Sequence, residues 1–311
     1  MKLQSSKFLF IALLIPLISC DSLEDKKGRF LLKGNEKLEE NDPKSAINLY
    51  SEAIALDSTY ADAYFNKAMA HLRLNQLDEA IADFSKAIQF KPDYSEAIFQ
   101  RGLSYLDNNE NYKAREDAER LIRMDRKNWK AHFLAGLTQE KLKNFDAALI
   151  QFREARALQP ENSDLLVNEA TILFYQKKFD EAKSILDEAE KLNPSEPNLH
   201  NLRSMIFFEE KNTELAIEAI DKALALDNRQ AYYHNNKGLY LLFSGKLEEG
   251  LELINLSIQL DGTNPYALRN KGIYYVMSGD KISAMQYLPE LAEKYPDMEL
   301  VKEYLEKAQD L

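Results

Sequence analysis

The sequence has a single cysteine, a single tryptophan, ten glycines and nine prolines in 311 residues. One cysteine excludes an internal disulfide, so Cys20 needs another role. So little glycine and proline leaves no low-complexity stretch. The four histidines form no HExxH and no Cys–His pair, so no recognisable metal site is present. There is no GxSxG elbow and no glycine-rich phosphate loop, so no motif speaks for an enzyme. Positive charge is also short: 40 Lys+Arg stand against 51 Asp+Glu, a net −11. That balance argues against nucleic acid as a partner and against charge-driven adhesion to anionic lipid. No cofactor and no metal are expected.

What is present is a repeat. The stretch Ala61–Tyr94 reads as two amphipathic helices and a closing turn. Tyr64, Ala68 and His71 fall on one face of the first helix; Leu77, Ala80, Phe84 and Ala87 do so on the second. Asn75-Gln76 breaks the pair and Lys91-Pro92-Asp93 ends it. Steps of 34 residues from Ala80 reach Ala46, Ala114, Ala148, Ala182, Ala216, Gly250 and Ala284. The same steps from Ala68 reach Gly34, Gly102, Gly136, Ala170, Ser204, Gly238 and Gly272. Two columns of small residues, which allow helices to approach closely, hold register over eight copies without insertion.

These columns resemble the tetratricopeptide repeat family. Its third small position matches Ala53, Ala87, Ala155, Ala189, Ala223 and Ser257, and departs to Leu121 and Leu291. Its closing proline matches Pro92, Pro160, Pro194 and Pro296; Ser58, Arg126, Asn228 and Gly262 replace it elsewhere, where looser turns are expected. The resemblance implies an all-α fold, a right-handed α-solenoid of helix–turn–helix units with a concave inner face. The units run 27–60, 61–94, 95–128, 129–162, 163–196, 197–230, 231–264 and 265–298, followed by a capping helix over 299–311. A solenoid needs such a cap to cover its last apolar face. Two local weaknesses are expected: Gly250 should weaken its helix by up to about 1 kcal/mol relative to Ala, and Pro289 should kink or shorten the last repeat's second helix.

The first nineteen residues stand apart. Lys2 and Lys7 precede an eleven-residue apolar run, Phe8–Ile18. That run is too short to span a bilayer, which takes about 20 residues, and suits a secretory signal. Leu17-Ile18-Ser19-Cys20 resembles the bacterial lipoprotein box, which implies cleavage after residue 19 and acylation of Cys20. Residues 20–26 are then the lipidated cysteine and a short tether. The expected location is the bacterial cell envelope, lipid-anchored, the outer membrane before the inner one.

His132, His200 and His234 share the fourth repeat position, and with His71 they read as packing residues. The other face of each first helix is more informative; by resemblance it lines the groove. It carries the amides Asn66, Gln100, Asn168, Asn236 and Asn270, which can pair with any peptide backbone. Phe208, Tyr232 and Tyr266 supply apolar contact area beside them. The expected function is a membrane-anchored protein–protein scaffold or adaptor in an envelope complex, binding partner segments at these residues. The alternative is a structural protein that self-associates through solenoid ends or the convex face. An enzyme is not expected.

Overall fold

The computed structural model of the protein describes residues 22–311; the expected signal segment and Cys20 lie outside them. The described residues form seventeen α-helices and no strand. They divide into two compact units at Asn109–Glu110. The first holds α1 (Leu23–Glu39), α2 (Pro43–Leu56), α3 (Ala61–Arg73), α4 (Leu77–Phe90) and α5 (Ser95–Asp107). The second begins with α6 (Asn111–Met124), α7 (Trp129–Lys141), α8 (Phe145–Leu158), α9 (Ser163–Tyr175), α10 (Phe179–Leu192) and α11 (Pro197–Glu209). It continues with α12 (Thr213–Leu226), α13 (Ala231–Phe243), α14 (Leu247–Leu260), α15 (Pro265–Met277), α16 (Lys281–Lys294) and α17 (Val301–Asp310). No described helix is long and apolar enough to cross a membrane.

One residue per repeat ends each first helix. Asn41, Asn75, Asn109, Lys143, Lys177, Lys211, Gly245 and Gly279 share the fifteenth repeat position, and all adopt positive φ. After α3, Asn75 N–H donates to Leu72 O (3.0 Å) and Gln76 N–H to His71 O (3.0 Å), the paired bonds of a left-handed helix stop. Asparagine and glycine accept this conformation readily, whereas lysine does so at a steric cost. At helix starts, Asn128, Asn162 and Asn264 accept from the N–H two residues on.

The small columns work through contact. A Cβ on Gly136 would lie 2.6 Å from the Phe152 ring. One on Gly250 would lie 2.8 Å from Gly238 O, and one on Gly238 2.9 Å from Gly250 O, so α13 and α14 touch backbone to backbone. Gly250 is thus a packing requirement, not the weak point its helix propensity suggested. The third and tenth residues of each later first helix are buried, and Ala63, Ala70, Leu199 and Ile206 are fully so. In α1 these places hold Arg29 and Glu36, which are exposed. At the other end α17 continues the same register, with Val301 and Ala308 buried. Glu306 occupies its small-residue position, so its free face is polar.

Three expectations change. Helix α1 starts at Leu23, because Ser22 and Asp25 form a capping box, so residues 23–26 of the expected tether are helical. Helix α16 runs through Pro289 at the full fourteen residues. Leu288 and Leu291 are buried on either side, and their packing offsets the missing hydrogen bond. Three of the four turns without proline are not left loose; the one at Gly262 has Leu268 at the clamping position and so has no such bond. Tyr64, His132 and His234 bind the carbonyls of Ser58 (3.4 Å), Arg126 (3.0 Å) and Asn228 (2.8 Å), each six residues back. His200 does the same to Pro194 (2.9 Å), so the fourth-position histidines are turn clamps.

Candidate functional site

In the second unit, first helix packs on first helix: α9 on α11, α11 on α13 and α13 on α15. The sixth repeat position falls on these seams. A buried amide there costs free energy unless it is bonded, and the neighbouring helix supplies the partner. Asn236 Nδ2 donates to Asn201 Oδ1 at 2.9 Å. Asn270 Nδ2 donates to Asn235 Oδ1 at 2.8 Å, and its own Oδ1 accepts from Arg269 Nε at 2.9 Å. Asn270 is 0% exposed, so it cannot meet a partner; its expected binding role gives way to a framework role. In the first unit Asn66 Nδ2 likewise donates to Asn35 Oδ1 (2.9 Å), which also accepts from the Tyr50 hydroxyl (2.8 Å).

The remaining expected residues are placed differently. Gln100 bonds Glu96 on its own helix, and Asn168 donates to Asp164 O at 2.7 Å. Both amides keep an oxygen free of these bonds. Phe208 packs between Tyr240 (4.7 Å) and Phe243 (5.2 Å). The Tyr232 hydroxyl donates to Asn198 Oδ1 at 2.7 Å, shared with Tyr233 at 2.9 Å, while the Tyr232 ring is exposed. Tyr266 is exposed with its ring 5.1 Å from the Arg269 guanidinium. Phe65 and Phe133, on the same face, pack against Phe84 (5.7 Å) and Phe152 (6.0 Å). The accessible part of the face mixes aromatic and polar groups: Tyr175, Tyr232, Phe243 and Tyr266 are exposed in the second unit, and so are Lys141, Asp164 and Asn198.

Its electrostatics are those of a sheltered surface. Burial pushes the Glu140 carboxyl up, and burial together with the Glu299 charge does so for Glu209. Burial lowers Arg269 to about 10, opposed by the charges of Tyr266, Glu299 and Glu209. The Tyr175 hydroxyl is pushed up to about 12, chiefly by burial and then by Glu140. Sequence reasoning missed Tyr175, Glu209, Asn201 and Asn235. The groove face of a first helix is made by its second, fifth, sixth, ninth and twelfth repeat positions, and Tyr175 and Glu209 fall at the thirteenth, one residue past the last of these. Glu140 does occupy an assigned position, but its charge looked like ordinary solvated charge.

Models of the tetratricopeptide repeat family match residues 31–95 and 99–163, 139–206 and 197–230. No curated protein matches the chain. Among solved structures, a tetratricopeptide repeat protein from Parabacteroides merdae is 16% identical at a TM-score of 0.71, covering 80% of this chain and 98% of that one. PilF of Pseudomonas aeruginosa is 22% identical at 0.54, covering 68% of this chain and 97% of its own. PilW, a widely conserved type IV pilus biogenesis factor, is 17% identical at 0.56, covering 68% and 99%. At these identities the likeness is one of fold.

Proposed function

Since the chain belongs to the tetratricopeptide repeat family, we propose that it is a lipid-anchored, non-catalytic adaptor of a bacterial envelope complex. It holds segments of partner proteins on the first-helix face of its second unit. The observation that carries this reading is the set of four exposed aromatics, Tyr175, Tyr232, Phe243 and Tyr266, carried by the first helices of the second unit. Exposed aromatic clusters of this kind are a common mark of interaction sites. The interhelix asparagine bonds support it by holding that face in one geometry before a partner arrives, which lowers the ordering cost of binding. Asn168 and Asn236 contribute the oxygens that their internal bonds leave over.

The anchor rests on the sequence: Phe8–Ile18 supplies the signal core and Cys20 the acylated residue. The capping box at Ser22 leaves Asp21 and Ser22 as the tether, so the first helix begins close to the bilayer. Self-association by end-to-end stacking is disfavoured, because α1 offers Arg29 and Glu36 and α17 offers Glu306 where stacking would need apolar contact.

The test is crosslinking in the native membrane. A photoreactive residue at position 232 should capture partner proteins, while one at Ile150, exposed on the second helix α8, should not. Capture at position 150 alone would move the site to the other face. In parallel, Cys20→Ser should shift the protein out of the membrane fraction; unchanged partitioning would defeat the lipid anchor.

A further inference from the structure

The last helix breaks the register of the repeat at its start. In the second to eighth repeats the first helix begins at the first repeat position, as at Ala61, Ser163 and Pro265. Helix α17 begins two residues late, at Val301, so Glu299 and Leu300 stay in the loop that follows α16. Leu300 adopts φ 66°, the one positive φ outside the fifteenth repeat position among the described residues. A branched side chain rarely sits there, and Leu300 is held by packing on the core of the second unit. What results is a short strap, residues 295–300, pinned at its end and bearing Asp297 and Glu299.

Two ion pairs tie the strap to distant repeats. Lys143, the helix stop of the fourth repeat, meets Asp297 at 3.8 Å, and Lys177, the stop of the fifth, meets Glu299 at 4.0 Å. Nearer by, Arg269 Nη1 donates to Glu299 O at 3.3 Å. Both attachments lie beside exposed aromatics of the first-helix face. Tyr175 stands two residues before Lys177, and the Tyr266 ring is 5.1 Å from the Arg269 guanidinium. Packing does not require the two lysine pairs. In a solenoid each repeat is held by its neighbours, and the fourth and fifth repeats are not neighbours of α17. Lys143 and Asp297 are 76% and 90% exposed, Lys177 and Glu299 68% each. Exposed pairs at such distances are weak and are screened by salt. Glu299 also crowds Glu209, whose carboxyl is pushed up by burial and then by that charge.

We infer that residues 295–300 are a releasable strap: the Lys143–Asp297 and Lys177–Glu299 pairs hold the second unit closed, and their rupture opens its first-helix face to a partner segment. The gating role rests on the adaptor reading above; the strap itself does not. Val301, Tyr304 and Ala308 are buried, so α17 stays packed when the pairs break. The Arg269 bond to Glu299 O stays with it, because both groups belong to the end of the array. What changes is the angle between the fourth and fifth repeats and that end, a change shared among many contacts between neighbouring repeats.

Spin labels test it. The full-length chain in detergent carries Cys20→Ser, which removes its one cysteine. Lys178→Cys and Glu306→Cys, both at exposed positions, take the labels. Pulsed electron–electron double resonance at about 0.1 M salt should give predominantly a short distance. Asp297→Lys with Glu299→Lys should populate longer distances, shifting the closed-to-open ratio by about tenfold. Raising salt to about 1 M should move the parent chain the same way. Adding Lys143→Asp and Lys177→Glu to the double variant restores opposite charges and should restore the short distance. Circular dichroism verifies folding of each form. An unchanged distribution in the double variant, or no rescue by the charge swap, would overturn the strap. In the native membrane, with Cys20 intact, the photoreactive residue at position 232 should capture more partner protein in the double variant. Equal capture from an opened unit would overturn the gating role. No capture by either form would refute the adaptor reading, and the distances would still decide the strap.

Discussion

Gly250→Ala tests the packing argument, because helix propensity and tertiary structure give opposite signs. In an exposed helix, replacing glycine by alanine gains about 1 kcal/mol. In α14 the new Cβ would lie 2.7 Å from Leu242 Cδ2 and 2.8 Å from Gly238 O. The leucine methyl can rotate away. The carbonyl belongs to α13 and moves only if the two helices separate by several tenths of an ångström. Such separation would loosen fully buried Ile254, which sits on the same interface. Overpacking of this kind costs about 1–3 kcal/mol, so after the propensity gain a net loss of about 1 kcal/mol is expected. Gly28→Ala is the matched control, since a Cβ there meets nothing within 4 Å. It should gain about 0.5–1 kcal/mol. Guanidinium unfolding followed by circular dichroism gives the midpoints. Repeat arrays can unfold in parts, so hydrogen exchange in α13 and α14 should locate the loss. A raised midpoint for Gly250→Ala would refute the close approach of these helices.

Two further outcomes follow from the same structure. Asn270→Ala should destabilise the second unit by about 1–3 kcal/mol, because Asn235 Oδ1 and Arg269 Nε lose partners in a buried seam; thermal melting measures it, and a neutral result would mean water replaces the amide. Asp57 is pulled down to about 2 from an ordinary 3.8, first by the Lys27 hydrogen bond and then by Thr59. Its contribution is therefore present above the ordinary value and is lost as pH falls toward 2. The stability of the first unit should fall as pH drops through that window, Asp57→Asn should flatten the dependence, and an unchanged pH profile in that variant would dismiss the pair.

Much of the architecture was legible in the sequence. Small residues recurring at a fixed interval leave few alternatives, because only close helix pairs demand them at both columns. The helix stops were partly visible as well, since Asn75 and Gly245 are residues that accept a left-handed turn; Lys143, Lys177 and Lys211 at the same place gave no such sign. The binding face was legible only in outline. Periodicity tells which side of a helix a residue occupies, but not how far the next helix leans over it.

That lean is a tertiary quantity, and it divided residues that look alike in sequence. Asn168 and Asn270 share one repeat position, yet Asn168 keeps a partly open site and Asn270 is sealed between α13 and α15. The Gly238–Gly250 contact likewise needed the distance between two helices, which no local propensity contains. The sequence alone determined the repeat, because helix period and side-chain size are local properties. The tertiary structure decided which groove residues stay free for a partner, because that depends on which polar groups the neighbouring helices have already satisfied.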